Sequence, residues 1–415
     1  MTNIPKGYKQ TEVGVIPEDW EVKKLGEIAC VATGNTPPTK DQTNYGHDYF
    51  FVSPADLGRG KYILNTDKKL SRKGFDLSRK FPTSSILFTC IGSTIGKSGI
   101  AQCELTSNQQ INAIFPNDNF SSDYLYYSLN LHSHRIKSFA GEQAVPIINK
   151  SEFEEVFIPF PPTKAEQTAI ATALSDSDAL INSLEKLIAK KLNIKQGAMQ
   201  ELLKPKEGWV IKKLGEIFTF HGGYTASRDQ LSDEGYCYLH YGDIHGAKKT
   251  FINVTSDYSK IPKLQILLKK VSPKSLLNDG DIVFVDASED DEGTSRHIVV
   301  KNPQGVPYIS GLHTIVAKSK ENIVNDDYKR YCFQNTYIKS QFKFYAVGTK
   351  VSGISKTNIA KVEISLPSPA EQTAIAQVLS DMDAEIEKLE QKLAKYRMIK
   401  QGMMQELLTG KTRLV

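Results

Sequence analysis

The 415-residue sequence lacks the features that mark several classes of protein. Its five cysteines are scattered and form no CxxC pair, which argues against a zinc site or a disulfide framework. No apolar run approaches the roughly 20 residues of a membrane span, and the opening residues MTNIPKGYKQTEVG lack the apolar core of a signal peptide. We therefore expect a cytoplasmic protein that has reduced thiols and no contact with a membrane.

The patterns of common catalytic sites are missing as well. The loop Gly92–Ser98 resembles a Walker A loop, but three residues separate its glycines where that motif needs four. The residues after it continue toward a strand, whereas a phosphate-binding loop requires a helix there. The acidic run Ser288–Glu292 could hold a divalent metal, although a solvated loop is the favoured interpretation. With no HExxH, NPPY or cofactor-binding glycine motif either, the sequence predicts no catalytic residue, no metal and no cofactor.

Neither sign of charge dominates the sequence. It has 52 lysines and arginines against 47 aspartates and glutamates, a formal net charge of +5, and 40% of its residues are hydrophobic. That composition is ordinary for a globular protein, and the length suggests two or three domains. Any contact with nucleic acid must therefore come from local basic faces and not from a global field.

What the sequence does have is a long internal repeat. Residues Ala165–Leu203 (AEQTAIATALSDSDALINSLEKLIAKKLNIKQGAMQELL) recur as Ala370–Leu408 (AEQTAIAQVLSDMDAEIEKLEQKLAKYRMIKQGMMQELL), at a constant offset of 205 and with 26 identical positions out of 39. Shared helical composition alone does not give so many identities. One segment has been used twice.

Both copies predict a long helix with a defined start. Thr163 lies three residues before Glu166, and Ser368 three before Glu371. This is the spacing of a capping box, in which a hydroxyl and a carboxylate satisfy free backbone N–H groups. Pro369 falls at the first helical position, where its missing N–H costs nothing. At about 1.5 Å per residue, each helix is expected to be roughly 58 Å long.

In the second copy the apolar residues step alternately by three and four, as in a coiled coil, and the first copy keeps apolar residues on the matching stripe. A lone helix with so narrow a stripe needs a partner, and the two copies can bury each other. A helix that merely closes its own domain is the alternative. The stripes comprise Leu174, Ile181, Leu184, Ile188 and Ile194 in the first copy, and Leu379, Met382, Ile386, Leu389, Leu393 and Tyr396 in the second.

A shorter repeat frames a variable region before each helix. WEVKKLGEI begins at Trp20 and WVIKKLGEI begins at Trp209, an offset of 189. The regions that follow, roughly Gly34–Ile158 and Gly223–Ile364, share little sequence, and we name them the first and second inserts. The same frame therefore carries two different inserts, which suggests two readers of different targets.

Each insert has the pattern of an α+β domain with a mainly β core. Short β-rich runs predict strands, and the runs that come later are expected to join the same sheets. These strands are predicted at Ser85–Ile91 and Asn112–Phe115 in the first insert and at Asp281–Val285 and His313–Val316 in the second, and helices are predicted at Asp123–Leu131 and Asp326–Tyr337.

The arrangement of PEDWEVKKLGEI, EQTAIA, IKQG and QELLTGKTRL around two divergent inserts closely resembles the specificity (S) subunit of type I restriction-modification systems. The resemblance covers essentially the whole chain. It implies an α+β fold in which two mainly β target recognition domains are joined by two long antiparallel coiled-coil helices, as an internal pseudo-two-fold repeat. It also implies that each domain reads one half of a split DNA site, with the helices setting the unread spacer.

The same resemblance implies the partners and the absence of catalysis. The partners are double-stranded DNA and DNA methyltransferase (M) subunits, two of them expected, with restriction (R) subunits as an open further partner. Physically, two base-reading domains on one strut suit half-sites separated by about one DNA turn, roughly 34 Å. An enzyme that uses the Gly92 loop or the acidic loop, and a coiled-coil scaffold that never touches DNA, are the alternatives.

Candidate DNA contacts are polar and basic residues in the loops of the inserts, since base edges give specificity and phosphate contacts fix register. Carboxylates in such a loop can accept a hydrogen bond from a cytosine amino group, so acidity does not exclude DNA. The candidates are Asn35, Lys40, Arg59, Lys61, Ser93, Thr94 and Lys97 in the first insert, and His245, Lys248, Lys249, Thr294, Ser295, Arg296, His297 and Lys350 in the second.

Candidates for helix pairing and for subunit binding lie on the repeated helices. They are Glu166, Gln167, Ile181, Leu184, Ile188, Glu371, Gln372, Ile386, Leu389 and Leu393. The predicted domain division is 1–160 and 205–366 for the target recognition domains, the first with its opening segment, and 161–204 and 367–415 for the helices, the second with a tail.

Overall fold

The structure is a computed structural model that describes residues 4–141, 144–247, 249–288, 295–348 and 352–414. The chain divides into two units, Met1–Glu185 with Gln391–Val415 and Lys186–Glu390. No helix within the described ranges is long and apolar enough to cross a membrane.

The helices of the first unit precede and include the first long helix. They are α1 (Leu25–Ile28), α2 (Arg72–Leu77), α3 (Ser122–Leu131), α4 (Ser133–Lys137), α5 (Lys150–Glu154) and α6 (Lys164–Leu202), of which α6 continues into the second unit. The remaining helices are α7 (Leu214–Ile217), α8 (Tyr241–His245), α9 (Asp326–Cys332), α10 (Thr336–Tyr345), α11 (Lys356–Ile359) and α12 (Pro369–Leu407). Single 3-10 turns occur at Gln42–Asn44, Arg228–Gln230, Leu268–Lys270 and Pro273–Ser275.

The strands of both units are short. The first unit contains β1 (Tyr8–Thr11), β2 (Gly14–Pro17), β3 (Glu21–Lys24), β4 (Val31–Thr33), β5 (Tyr45–Gly46), β6 (Tyr49–Val52), β7 (Tyr62–Ile63), β8 (Lys68–Leu70), β9 (Ile86–Thr89), β10 (Ser98–Ala101), β11 (Thr106–Ser107), β12 (Ile111–Ile114) and β13 (Phe157–Phe160). The second contains β14 (Val210–Lys213), β15 (Phe218–Gly222), β16 (Leu231–Ser232), β17 (Tyr236–Leu239), β18 (Phe251–Asn253), β19 (Lys263–Leu264), β20 (Ile282–Val285), β21 (Ala287–Ser288), β22 (His297–Lys301), β23 (Tyr308–Ser310), β24 (Thr314–Ser319), β25 (Ser352–Gly353) and β26 (Glu363–Leu366).

The two inserts have the same strand order despite their different sequences. A five-stranded sheet runs β4-β12-β9-β10-β7 in the first and β15-β24-β20-β22-β18 in the second. A four-stranded sheet runs β11-β6-β8-β5 in the first and β23-β17-β19-β16 in the second. The predicted strand pairs are confirmed, because β12 pairs with β9 and β24 pairs with β20, both antiparallel. Every residue of β9 and β20 is buried, which explains their unbroken runs of apolar or small side chains.

The repeated opening segments close each insert. Strand β3, within WEVKKLGEI, pairs antiparallel with β13, which directly precedes α6. Strand β14 pairs in the same way with β26, which precedes α12. The strand that leads into each insert, β4 or β15, is followed by Gly34 or Gly223, where a Cβ would lie 2.2 Å from Ser107 Oγ or 1.8 Å from Gly311 O. A side chain at either position would block this close approach.

The long helices pair antiparallel within each unit. In the first unit Arg397 and Lys400 of α12 bind Glu185 and Asp178 of α6, at N···O distances of 2.7 and 2.6 Å. In the second, Lys191 of α6 binds Glu385 of α12 at 2.7 Å, and Lys195 binds Asp383. Residue numbers therefore rise along one helix as they fall along the other.

The apolar seam is largely as predicted. Seven of the predicted positions, Leu174, Ile181, Leu184, Ile188, Leu379, Ile386 and Leu393, are buried, and Met382, Leu389 and Tyr396 are half-buried. Ile194 was predicted wrongly, since 47% of it is exposed. The facing positions near it are taken by Lys191 and Lys195, whose ammonium groups reach carboxylates of α12.

Two further predictions need correction. The helix expected over Asp326–Tyr337 ends at Cys332, and α10 begins at Thr336, where the Asn335 side chain accepts a hydrogen bond from Tyr337 N at 2.7 Å. The capping boxes are half present: Thr163 and Ser368 accept from the backbone N–H of Glu166 and Glu371, at 3.2 and 3.3 Å. The two carboxylates bind other partners, described below.

Candidate nucleic-acid interface

A basic cleft of about 420 Å³ opens beside the loop that joins β9 to β10. Its one carboxylate among the described lining residues is Asp178, against several cationic or imidazole groups. Gly96, with φ +102°, turns the loop here and packs against Ser133 of α4, so a bulkier residue would strain the turn. The side chains and loops that line it come from Gly58, Gly60, Lys61, Ile95, Gly96, Lys97, Ser98, Tyr126, Asn130, Ser133, His134, Lys137, Asp178, Asn182 and Lys400.

The cations of this first cleft differ in availability. Lys97 and Lys137 are exposed, and Lys137 donates to the Ser93 carbonyl at 3.4 Å. Lys61, by contrast, has a side chain that is only 7% exposed and binds Asp123 and Ser175 Oγ, both at 2.7 Å. Lys61 therefore serves the packing of the wall, while Lys97 and Lys137 present charge to the opening.

Other predicted residues of the first insert lie around this cleft or apart from it. Ser93 is exposed and Thr94 half-buried in the same loop as Lys97. Arg59 lies between two lining glycines and forms a two-point ion pair with Asp67, at 3.0 and 2.9 Å, which holds the pKa of that carboxyl below its usual value. Asn35 is not among the lining residues; it bridges the Leu77 carbonyl and the Arg79 backbone N–H. Lys40 is exposed and also lies outside the lining.

A second cleft of about 290 Å³ occupies the matching place in the second insert, where the chain enters β22. The structure brings four predicted residues together here, Lys249, Ser295, Arg296 and His297, and adds the exposed Lys339 of α10. The other described lining residues are Ile244, Ala247, Thr250, Phe333 and Gln334. Three predicted residues, Lys248, Thr294 and Lys350, lie outside the described residues, as does most of the acidic run 288–292.

Hydrogen bonds fix the rim of the second cleft. Arg296 donates to the His245 carbonyl at 2.5 Å, and His245 Nε2 lies 3.4 Å from the Ala287 carbonyl. Lys249 binds Glu387 of α12 at 2.9 Å. The predicted residues His245, Lys249 and Arg296 are therefore held in one rim, with Lys249 tied to the long helix.

His297 forms the floor of the second cleft and not an exposed contact. It is 5% exposed, and its ring lies between Phe284 and Phe333, with centroid distances of 5.6 and 5.1 Å. Burial lowers the pKa of His297 from 6.5 to about 4, because the charged imidazolium is poorly solvated there. The ring is therefore neutral at pH 7 and packs as part of the core.

Each long helix begins with a glutamate-glutamine pair, Glu166–Gln167 or Glu371–Gln372, which we name the EQ pair. The glutamine of each EQ pair connects its long helix to an insert. Gln167 is 4% exposed and accepts a hydrogen bond from the Ser121 backbone N–H at 3.0 Å, where α3 begins. Gln372 is 2% exposed and accepts from the Asn325 backbone N–H at 2.8 Å, where α9 begins. Each glutamine thus accepts a hydrogen bond from a backbone N–H at the start of an insert helix, α3 in the first unit and α9 in the second.

The glutamates of the EQ pairs hold the segment that follows the other long helix. The Glu166 carboxylate binds Arg413, which also makes a two-point ion pair with Asp19 at 2.9 and 3.0 Å. Glu371 accepts from Trp209 Nε1 at 3.2 Å and from Lys206 at 3.3 Å. These contacts explain why the carboxylates do not complete the predicted capping boxes.

Sequence reasoning missed Lys137 and Lys339 as cleft residues. Each lies on a helix that follows the two main sheets of its insert, and only the fold brings it to the loop after the central strand. The available signal was their place on a polar helix face close to α3 or α9. Within the described parts of the chain, no group of three His, Cys, Asp or Glu side chains could hold a metal ion.

Comparison with known proteins gives two kinds of match. The family model for the type I restriction modification DNA specificity domain matches residues 17–194 and again residues 206–395. Two specificity subunits from Methanocaldococcus jannaschii are similar over nearly the whole chain: the MjaIX subunit is 26% identical, covering 98% of this chain and 96% of its own, and the MjaVIII subunit is 25% identical, covering 99% and 96%.

Solved structures share the fold. The S subunit of a type I restriction-modification system from M. genitalium matches with a TM-score of 0.55 and 15% identity, covering 94% of this chain and 96% of its own. A chain from a structural study of assembly and conformational transition in the type I R-M system matches with a TM-score of 0.57 and 14% identity, covering 96% and 99%. At such identities these matches speak for the fold alone.

The buried His297 predicts an acid-sensitive second unit. The unfolded chain binds a proton at this imidazole near pH 6.5, whereas the folded chain binds it only near pH 4. Stability is therefore full above about pH 6.5 and falls as the pH drops toward 4, by up to about 3 kcal/mol for this group. We expect His297→Phe to flatten the pH dependence of the thermal unfolding midpoint between pH 6.5 and pH 4.

His47→Phe is the matched control, since His47 is exposed. His132, whose pKa is lowered to about 4 mainly by burial and then by the Arg135 charge, leaves a residual dependence in both variants. An unchanged slope in His297→Phe would contradict the assignment.

Proposed function

The chain belongs to the family of type I restriction modification DNA specificity proteins, and on that premise we propose how it divides the work of recognition. It acts as the non-catalytic specificity subunit of a restriction-modification complex. Each insert reads one half of a split, asymmetric DNA site, and partner subunits carry out methylation and cleavage. Its place of action is the cytoplasm.

The observation that carries this proposal is the pairing of one topology with two chemically different clefts. Both inserts have the same five-stranded and four-stranded sheet orders. At matching places, Lys97 lines the first cleft and shares its loop with Ser93 and Thr94, whereas Arg296 and Lys339 line the second. Two domains with the same fold but different side chains in their clefts suit an asymmetric site, because different side chains recognise different base edges.

Within each cleft the long cations and the short polar groups take different roles. Lys97, Lys137 and Lys339 bind phosphate, which fixes register and contributes salt-dependent affinity. We assign Ser93, Thr94 and the guanidinium of Arg296 to contacts with base edges. The remaining loop candidates stay with the proposal as peripheral contacts: Asn35, Lys40, Arg59, His245, Lys248, Lys249, Thr294, Ser295 and Lys350.

The long helices serve as spacer and as docking surface. They leave apolar side chains exposed although their seam is filled: Leu180, Leu187, Leu192, Ile194, Val378, Met398 and Ile399. Exposed apolar groups on an otherwise charged helix surface suit a partner protein, and we assign them to two methyltransferase subunits. The domain division 1–160, 161–204, 205–366 and 367–415 follows from these roles.

The experiment that tests the function is reconstitution with the cognate methyltransferase subunit, followed by mapping of methylated adenines across a genome. We expect two unlike half-motifs separated by a fixed spacer. Replacing residues 34–158 with another insert of the family should change one half-motif only, because each insert is closed by its own strand pair, β3 with β13 or β14 with β26.

Omission of this chain is the control for the methylation map. Methylation that persists unchanged without it would refute the proposal. Turnover of ATP, or metal-dependent cleavage, by the chain alone would favour the enzyme alternative, and a lack of salt-sensitive DNA affinity in the complex would favour the scaffold.

The cleft lysines should act through charge and not through sequence. In the complex with its methyltransferase partner, Lys97→Ala and Lys339→Ala are each expected to weaken cognate and non-cognate DNA alike. Each should also reduce the slope of log affinity against log salt by about one. Lys301→Ala is the matched control, since the exposed Lys301 lies at the end of β22 opposite the cleft. Salt slopes equal to that of the parent complex would show that these lysines do not contact DNA phosphates.

The spacer role predicts the effect of lengthening α6. Inserting one or two helical turns within Ser177–Lys190 should lengthen the unread spacer and leave both half-motifs intact, since one turn adds about 5.4 Å, or between about one and two base pairs. The same residues inserted after Gly305, in an exposed turn, are the control and should leave the spacer as it is. A changed half-motif at constant spacer would refute the proposal that the long helices set the spacer length.

A further inference from the structure

A tyrosine of the first insert donates a hydrogen bond to an aspartate of α6, and the same aspartate forms an ion pair with a lysine of α12. The Tyr127 hydroxyl of α3 donates to Asp178 Oδ2 of α6 at 2.6 Å, and Lys400 of α12 binds Asp178 Oδ1 at 2.6 Å. Ser175 Oγ lies 3.3 Å from the same hydroxyl and accepts from Lys61 at 2.7 Å. Both ammonium groups also lie over the tyrosine ring, Lys61 at 4.9 Å and Lys400 at 5.6 Å from its centroid.

The second unit builds the same arrangement from its own residues. The Tyr331 hydroxyl of α9 donates to Asp383 Oδ2 of α12 at 2.7 Å, and Lys195 of α6 binds the other oxygen of Asp383. Ser380 Oγ lies 3.2 Å from the hydroxyl and 3.3 Å from Arg330. The cations again lie over the ring, with Arg330 at 5.2 Å and Lys195 at 5.7 Å.

Of the four groups around each tyrosine, three are repeated at the offset of 205. Asp178 recurs as Asp383, Lys400 repeats Lys195, and Ser175 recurs as Ser380. The cation on the insert side is not repeated: it comes from Lys61 before β7 in the first unit and from Arg330 on α9 in the second. We name this arrangement of a tyrosine, an aspartate, a serine and two cations the anchor junction. It is the same in both units, although the insert-side cation comes from different elements.

The anchor junction differs from the other ion pairs along the helices. The side chains of Asp178 and Lys400 are 22% and 24% exposed, whereas those of Glu185 and Arg397, farther along the same two helices, are 42% and 59% exposed. Screening by water leaves such an exposed pair with little energy. A hydrogen bond to a charged group that is largely shielded from water is stronger and more directional.

The anchor junction also touches the DNA-facing part of the first unit. Lys61, Asp178 and Lys400 line the first cleft, although Tyr127 does not. The tyrosine hydroxyl therefore links the helix pair to the back of the surface that carries Lys97. A hydrogen bond here fixes the orientation of α3, and with it the insert, on the two long helices, which apolar packing alone would hold less directionally.

We propose that Tyr127 and Tyr331 are positioning residues, each of which fixes its insert on the helix pair so that the complex accepts a single spacer length. The proposal rests on the proposed function, in which the two inserts read half-sites at a fixed separation. Loosening either anchor junction lets the insert turn on the helices. The half-motif it reads then stays the same, while the accepted spacing broadens.

The test uses the full chain in its complex with the methyltransferase subunit. Tyr127→Phe and Tyr331→Phe remove one hydroxyl each and keep the buried ring. We expect both half-motifs to remain unchanged in the methylation map. Methylation at sites whose spacer is one base pair longer or shorter should rise about tenfold relative to the cognate spacer, the scale expected when a hydrogen bond to a charged group is lost.

Glu185→Gln is the matched control, because it removes an ion pair between the same helices that does not reach the insert. It should keep the parental spacer. Thermal unfolding of each variant separates loss of stability from loss of positioning: a merely structural tyrosine would lower the unfolding midpoint and the overall methylation, with the spacer distribution unchanged.

The outcomes separate the two proposals. A parent complex without a split motif defeats the proposed function itself. A parent with a split motif and a fixed spacer, together with tyrosine variants whose spacer distribution equals the parental one, overturns the positioning role and leaves the function standing. Broadened spacing in both tyrosine variants but not in Glu185→Gln supports it.

Discussion

Burial of a narrow apolar seam between the two copies of one helix is the constraint on which the rest of the structure depends. Neither copy has enough apolar surface to cover its stripe alone, so each unit pairs part of α6 with the oppositely directed part of α12. The polar groups at the edges of the seam fix which residues face each other. Because Lys195 binds Asp383 and Lys400 binds Asp178, a shift of one turn along either helix would separate these charges.

The seam also determines how each insert is attached. Each EQ pair lies at the start of a long helix, where its glutamine satisfies the first backbone donor of an insert helix and its glutamate holds the segment after the other copy. The strand pair β3 and β13, or β14 and β26, then closes the insert. Between these attachments the two inserts share little sequence, although each still supplies the backbone N–H that its glutamine binds.

The sequence predicts the long helices and the central strands much better than it predicts the residues of the two clefts. The helix pair and the central strands follow from periodicity and repetition, which are local. Ile194 was misjudged because a three-four pattern does not reveal that Lys191 and Lys195 take the facing positions through ion pairs. The sequence does not predict the burial of His297, because that burial depends on Phe284 and Phe333, which are distant in sequence. Lys137 and Lys339 were missed for the same reason, since only the fold brings them to their clefts.

The two inserts also show what the fold keeps when the sequence changes. Lys61 and Arg330 put a cation over the anchor tyrosine from different elements, and Arg330 stacks over Phe251, which occupies the β18 position that matches Tyr62 in β7. The aromatic keeps its place while the cation comes from another element, and the hydroxyl, carboxylate and ammonium of the junction retain their geometry. Contacts between insert and helix are therefore maintained as an arrangement of groups. Cleft residues such as Lys97 and Arg296, which contribute little to that attachment, can change with the target.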